Sequence, residues 1–337
     1  MYKIIRSFFF LISAEKAHYI TMFIFKYISK LPFVYNMFQF EGNPVKVDGI
    51  TYKNTIGLAA GFDKDGKFLD ELYMLNFGFV EIGTVTPKPQ SGNPKPRLFR
   101  LKKDRALLNR MGFNNEGLKA VKHRLKLFRK KERDCSMKIG INIGKNKTTT
   151  NENAVDDYVK CYEELYELAD FFIVNVSSPN TPNLRELQNK DELLKILNAL
   201  LSIRLTQDDW KPLYLKIAPD LSISQLDEIV ALQKEISFEG IVATNTTINR
   251  TLLKNSNPKI VTELGNGGIS GHILLESSNQ IVRHIRDKSD MTIIGVGGIE
   301  NVSSAKSKLE AGANLLEIYT GFIYSGPGLI KKIGTLN

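Results

Sequence analysis

Residues 292–321 read TIIGVGGIENVSSAKSKLEAGANLLEIYTG. Two short runs in it, Thr292 to Val296 and Leu315 to Thr320, are apolar or β-branched without alternation, as a strand covered on both faces requires. A stretch of helical period, 301–311, separates them. Glycines follow each run, Gly297-Gly298 after the first and Gly321 after the second. Close backbone approach, N–H donors and helix dipoles at such positions suit a phosphate. Buried closing strands that carry a phosphate site point to a (β/α)8 barrel more than to a Rossmann sheet, the fold-level alternative.

The same strand–helix unit recurs upstream from residue 54. The earlier strands are expected at Thr55 to Ala60, Phe79 to Val85, Lys138 to Ile143, Phe171 to Ser177, Leu213 to Ile217 and Gly240 to Thr244. Helices are expected at 66–76, 115–131, 152–169, 190–205, 222–236, 272–287, 301–311 and 327–333. Eight repeats close into an α/β TIM barrel, here a domain spanning 41–337. Two long intervals, 87–112 and 245–271, are expected to lie as loops over one face of it.

The chain has 337 residues, 42% hydrophobic and 24% charged, which excludes disordered and low-complexity classes. Cys135 and Cys161 fall in no metal-ligand or CxxC spacing, so no metal site is expected, and a reducing compartment fits. The formal charge of +10 favours anionic partners. Residues 1–40 hold five basic side chains, one acid and 12 of the 32 aromatic residues. No apolar run there is long enough to cross a bilayer, and no small-residue cleavage site follows it. A helix pair is expected instead, Met1 to Leu11 and a second helix capped by Ser13 and ended by Pro32. Its apolar residues cover more than one face between basic flanks, which suits an element lying in a membrane interface at residues 1–31.

In a barrel of this kind the chemistry collects at the carboxyl ends of the strands. There the sequence places Lys64, Thr84, Asn142, Asn175, Ser178, Lys216, Thr244, Asn245 and Thr246 among glycines. The asparagines Asn109, Asn142, Asn175, Asn180 and Asn245 offer donors and acceptors without charge, as recognition of a small heterocycle demands. Lys216, at the end of an apolar strand, is desolvated, paired with an anion, or snorkelling from the rim; a reduced flavin would supply such an anion. Ser178 precedes Pro179 and has no histidine near it in sequence. Its alternatives are a turn serine or a proton acceptor helped by a polar network, but not an acyl-transfer nucleophile.

At these motifs the chain closely resembles the class 2 dihydroorotate dehydrogenases, quinone-dependent, membrane-associated FMN enzymes of pyrimidine biosynthesis. The resemblance is carried by AAGFDKDG (59–66), EIGTVTP (81–87), PRLFR (96–100), NRMGFNN (109–115), NIGKN (142–146), NVSSPNTP (175–182), TNTT (244–247), GGISG (267–271) and IYTG (318–321). It implies oxidation of dihydroorotate to orotate, with Ser178 as base for the C5 proton and the C6 hydride passing to N5 of FMN. It implies substrate contacts from Lys64, Asn109, Arg110, Met111, Gly112, Phe113, Asn175, Asn180, Asn245 and Thr246. FMN contacts are implied for Ala60, Gly61, Phe62, Asp63, Lys64, Thr84, Asn142, Asn175, Lys216, Thr244, Gly271, Gly298, Tyr319 and Thr320. The N-terminal segment, 1–40, would shape a quinone tunnel with His18, Arg100 and Tyr319 as polar lining.

Class 1 relatives use a cysteine base and lack this extension, whereas this chain has a serine and keeps it. The chain departs from the family at Asn183, usually glycine, and at Phe62, usually leucine; Asn tolerates the positive φ that glycine would take. A monomer bound peripherally at the cytoplasmic face of a bacterial inner membrane is expected, with no nucleic-acid partner. The rival readings are an FMN barrel using a soluble acceptor and a basic module without catalysis.

Overall fold

The computed structural model describes residues 2–131 and 136–336. Cys135 lies outside them. The core is a closed barrel of eight parallel strands: β1 Ile56–Leu58, β2 Phe79–Val85, β3 Lys138–Ile143, β4 Phe171–Asn175, β5 Leu213–Ile217, β6 Gly240–Ala243, β7 Thr292–Val296 and β8 Leu315–Ile318. Neighbours in space are neighbours in sequence, and β8 closes on β1 with Leu316 beside Ile56. β2, β4, β5, β6, β7 and β8 are buried along their whole length, which accounts for their predominantly apolar runs.

Inside the barrel, Phe79, Phe171 and Tyr214 fill the lower layers, and the glycines between them make the room. A Cβ on Gly57 would come within 2.3 Å of the Phe79 ring, and one on Gly140 within 2.3 Å of Phe171. A hairpin, Val45–Val47 with Ile50–Tyr52, plugs the amino-terminal end. The Tyr52 ring sits edge-on to Phe79 at 5.5 Å, and the Tyr214 hydroxyl donates to Asp48 at 2.6 Å. This hairpin lies outside the predicted strands, because each of its arms is only three residues long.

Two expectations are corrected at the other end. The intervals 87–112 and 245–271 do cover that face, but as an antiparallel sheet rather than as loops. Its strands are Leu98–Leu101, Ala106–Asn109 and Gly268–Gly271, with Asn109 paired to Leu98 on one side and Gly268 on the other. Asp104 ties its turn down by accepting the N–H groups of Lys254, Asn255 and Ser256. A short helix, Thr320–Ser325, also follows β8 directly, before the expected last helix.

Three helices precede the barrel: α1 Tyr2–Phe9, α2 Ala14–Ile28 and α3 Pro32–Phe38. Pro32 starts a helix instead of merely ending one, since its missing N–H costs nothing at the first helical position. Ser13 occupies the cap position of α2 but its hydroxyl makes no cap bond. α1 buries no residue and α2 buries only Ala14, Ala17 and Met22. Phe8, Leu11, Phe23, Ile24, Tyr27, Phe33 and Met37 are all exposed. Among the described residues no helix is long and apolar enough to cross a membrane.

Candidate active site

The strand ends and the covering sheet enclose a cleft of about 1060 Å³, its open mouth included. Nineteen of the positions expected to touch substrate, cofactor or quinone line it: Ala60, Gly61, Lys64, Thr84, Asn109, Met111, Gly112, Phe113, Asn175, Ser178, Asn180, Lys216, Thr244, Asn245, Thr246, Gly271, Gly298, Tyr319 and Thr320. Asn109 and Gly271 arrive there on the antiparallel sheet, so that sheet is part of the site. Asn142, Arg110, Phe62, Asp63, His18 and Arg100 are not in its wall.

The floor is a buried charge cluster. Lys216 on β5 donates to Glu81 on β2 at 2.5 Å and lies 3.7 Å from Glu317 on β8. Its anion is therefore supplied by the protein. Burial pushes the Glu81 carboxyl up, but Lys216 and the donors around it outweigh this and hold it below its usual value. Burial lowers the Lys216 ammonium, and the two carboxyl groups more than reverse that. Removing Lys216 would leave a buried carboxylate uncompensated, a cost of about 3–5 kcal/mol. Asn142 stands one step below the cleft. It donates to Glu81 at 2.5 Å and accepts from the Thr84 hydroxyl and from Asn175 at 3.1 Å.

Above this floor the asparagines are mutually oriented. Asn180 donates to Asn109 at 2.8 Å, and Asn245 donates at 2.9 Å to the Ser177 hydroxyl, which in turn donates to Asn175. Ser178 is buried, and its oxygen accepts the Asn180 N–H at 3.3 Å. Arg185 clamps the segment that carries Ser178: its guanidinium donates to Ser177 O, Thr246 O and Asp220. Asn183 sits at φ 56°, the left-handed region that asparagine tolerates.

Lys64 reaches the cleft from the loop after β1. Burial lowers its ammonium to about 8, with Asp65 opposing the shift. Asp63 points away from the cleft and accepts the N–H groups of Lys67 and Phe68 at 2.8 Å, holding that loop. Beside it runs a second, smaller space of about 420 Å³ between α2 and the barrel, lined by His18, Tyr19, Phe62, Phe68 and Tyr319. It shares Gly61, Lys64, Leu98, Met111 and Tyr319 with the main cleft. The His18 ring packs edge-on to Phe62 at 4.7 Å, and burial and Lys64 lower its imidazole to about 4, so it is neutral. Arg100 lies outside this passage. It donates to Ile12 O at 2.6 Å and covers the Phe10 ring at 4.4 Å, holding the turn between α1 and α2. Arg110 likewise faces outward, onto Leu264 O and Pro96 O.

The residues present fit an FMN. Thr244 offers a buried hydroxyl with no partner at the wall of the cleft, a donor awaiting an acceptor. Gly61, at φ 92°, leaves open the space that a side chain would take toward Tyr319 and Lys64. Gly297, Gly298, Thr320 and Gly321 converge at one end. The helix after Gly298, Val302–Glu310, is capped by the Asn301 side chain, whereas the short helix at Thr320 carries no side-chain cap.

Glu81, Glu317 and Arg185 were not among the expected site residues. The first two carried the same signal as Lys216, a charge inside an apolar strand. Arg185 carried none, since an arginine after a loop reads as surface.

A family model described as dihydroorotate dehydrogenase matches residues 44–335. The chain is 48% identical to a dihydroorotate dehydrogenase (quinone) of Christiangramia forsetii, over 99% of this chain and 97% of that one. A dihydroorotate dehydrogenase (quinone) of Vibrio parahaemolyticus is 44% identical, over 99% and 98%. Among solved structures, DHODH from Eimeria tenella in complex with ferulenol is similar with a TM-score of 0.84 and 34% identity, covering 95% of this chain and 89% of that one.

Proposed function

The chain belongs to the quinone-dependent dihydroorotate dehydrogenases, and from that premise we propose that it oxidises dihydroorotate to orotate over FMN, with Ser178 as the base. The observation that carries this is a single cleft walled at once by Ser178, by the uncharged ring of Asn109, Asn175, Asn180 and Asn245, and by Lys216, Thr244, Gly298 and Thr320. When bound, FMN supplies the acceptor for the hydride leaving C6 of the substrate and passes the electrons on to quinone.

The chain's own residues do the rest. The asparagines, with Thr246 and the Met111–Phe113 backbone, orient the pyrimidine, and Lys64 attracts its carboxylate. Ser178 Oγ accepts the C5 proton as its own hydroxyl proton passes to water, so the residue ends the step neutral. The Asn180 N–H bond fixes that oxygen in the position where the transfer begins. Glu81 sets the place of Lys216, Ala60 and Asn142 at the floor of the cleft, where they would hold the cofactor.

Purified protein is expected to be yellow, to be bleached by dihydroorotate and to be recoloured by a ubiquinone analogue. Reoxidation by fumarate or NAD, but not by quinone, would overturn the reading. A pH dependence follows from Lys64. In the free protein its charge is lost as pH rises through about 8, so kcat/KM for the anionic dihydroorotate is expected to fall above that value. In Lys64→Met the fall should disappear along with most of the binding. A profile unchanged in that variant would remove Lys64 from substrate capture.

The passage along His18, Phe62 and Tyr319 is the route by which quinone reaches the cofactor, and Arg100 holds the turn between α1 and α2. Residues 1–40 form the membrane and quinone-access segment and 41–337 the catalytic barrel, working as a peripheral monomer on a bacterial inner membrane. α2 also borders an outer groove lined by Ile20, Phe23, Leu127 and Phe128 and rimmed by Lys26, Lys67, Arg124 and Lys131. Leu127 belongs to the helix Leu118–Arg129, whose Lys119 and Lys126 are exposed, with Lys130 exposed just past its end. This basic face meets anionic headgroups while the apolar helices enter the lipid. Replacing Lys126 and Lys130 by glutamine is expected to weaken sedimentation with anionic vesicles roughly 30-fold, at about 1 kcal/mol per lost cation. Unchanged binding would confine the membrane contact to α1–α3.

A further inference from the structure

Two carboxyl groups and one ammonium group share a buried site at the floor of the cleft. The side chains of Glu81 and Glu317 are fully buried, and Lys216 lies 2.5 Å from the first and 3.7 Å from the second. The two acids are unequally supplied. Glu81 accepts the Ala60 N–H at 3.0 Å, the Asn142 amide and the Lys216 ammonium. Both oxygens of Glu317 are buried, and among the described residues neither has a hydrogen-bond partner at ordinary distance. Their polar neighbours are the Lys216 ammonium, 3.7 Å away, and the Glu81 carboxyl group. An ionised carboxylate accepts and cannot donate, so the contact between the two acids is a hydrogen bond only with a proton in it. Were both acids ionised, two buried anions would share the single Lys216 ammonium, which lies closer to Glu81 than to Glu317.

We infer that Glu317 is a neutral carboxylic acid that donates to Glu81, and so acts as a positioning residue beneath the flavin site. Its proton gives the Glu81 carboxylate a donor besides Lys216, Asn142 and the Ala60 N–H. The cluster then holds one anion and one cation, with no net charge at the edge of the cleft, which Glu317 itself lines. Burial, with Glu81 beside it, holds the Glu317 carboxyl well above the usual range against the pull of Lys216.

The inference rests on the flavin reading only in its consequence for the cofactor, and two measurements separate them. Infrared difference spectra of wild type and Glu317→Gln at about pH 8, far above the value of a free glutamate near 4.3, are expected to show a deuterium-sensitive protonated-carboxyl stretch in wild type alone. Absence of that band from wild type, or its persistence in the variant, would overturn the inference, whether or not flavin is bound. The second measurement is the midpoint potential of the bound flavin. Glutamine replaces one neutral donor with another, so the potential is expected to stay in place. An upward shift, the sign of a deleted anion, would show Glu317 to be ionised and the inference wrong. Glu317→Asp keeps the acid and is expected to keep the band at an altered frequency; a folded variant without it would count equally against the proposal.

Discussion

Replacing Ser178 by alanine is expected to slow reduction of the bound flavin by dihydroorotate by roughly 10²–10⁴-fold, the usual worth of a positioned general base, while the flavin itself stays bound. The change removes one oxygen from a buried position whose backbone is held independently, by the Arg185 clamp on Ser177 O and Thr246 O. The wall should therefore keep its shape. The adjacent serine is an internal control. The Ser177 hydroxyl is already spent between Asn175 and Asn245, so Ser177→Ala should loosen the pyrimidine ring contacts and raise KM more than it lowers the reduction rate. Stopped-flow bleaching of the flavin reads both variants directly. A Ser178→Ala protein that is reduced at near the normal rate would leave the base elsewhere. Equal effects of the two variants on KM alone would make Ser178 a binding residue.

Different parts of this arrangement were unequally visible in the sequence. The barrel strands were legible because burial on both faces leaves a predominantly apolar run, and β2, β3, β5 and β7 lie where their runs begin and end. The sheet over the mouth was not. Its strands are four residues long and lie among prolines, glycines and charges, where period carries no signal, and their pairing joins Leu98–Asn109 to Gly268, far along the chain. Of the positions expected at the site, those at strand ends converge because the barrel dictates it. Asn109 and Gly271 converge only because of the sheet, which spacing alone could not reveal. Lys216 stood out as a charge in an apolar strand, and the same reasoning applied to Glu81 in FVEIGTV and Glu317 in LLEI would have found its partners. The counter-charge was sought in the ligand when the fold supplied it.

Deleting residues 1–38 is expected to abolish turnover with a membrane quinone while leaving reduction of the flavin by dihydroorotate close to that of the full chain. Polar ties between the helices and the barrel are few, beside the packing of Met22, Phe25 and Phe38 on its core. Tyr2 donates to Ile323 O at 2.6 Å and Arg6 to Tyr324 O; Glu15 pairs with Arg97 at 2.8 Å; Arg100 reaches Ile12 O. Each barrel partner survives their loss. Arg97 keeps the carbonyls of Ser91 and Asn93, and Tyr324 keeps its bond to Ala106 O. What the deletion removes is one wall of the passage, Glu15, His18 and Tyr19, which leaves Phe62 and Phe68 facing water and the route to the cleft without a guide for an apolar acceptor. It also removes the exposed side chains of Phe8, Leu11, Phe23, Ile24 and Tyr27 that a membrane would cover. The reductive half, by contrast, needs the strand ends and the antiparallel sheet, none of which lies before residue 45. The truncated protein should therefore stay yellow, bleach with dihydroorotate, no longer sediment with vesicles, and be recoloured by a small water-soluble acceptor but not by a long-chain quinone. Parallel loss of flavin, substrate reduction and quinone turnover would mean that the helices hold the barrel together instead of feeding it.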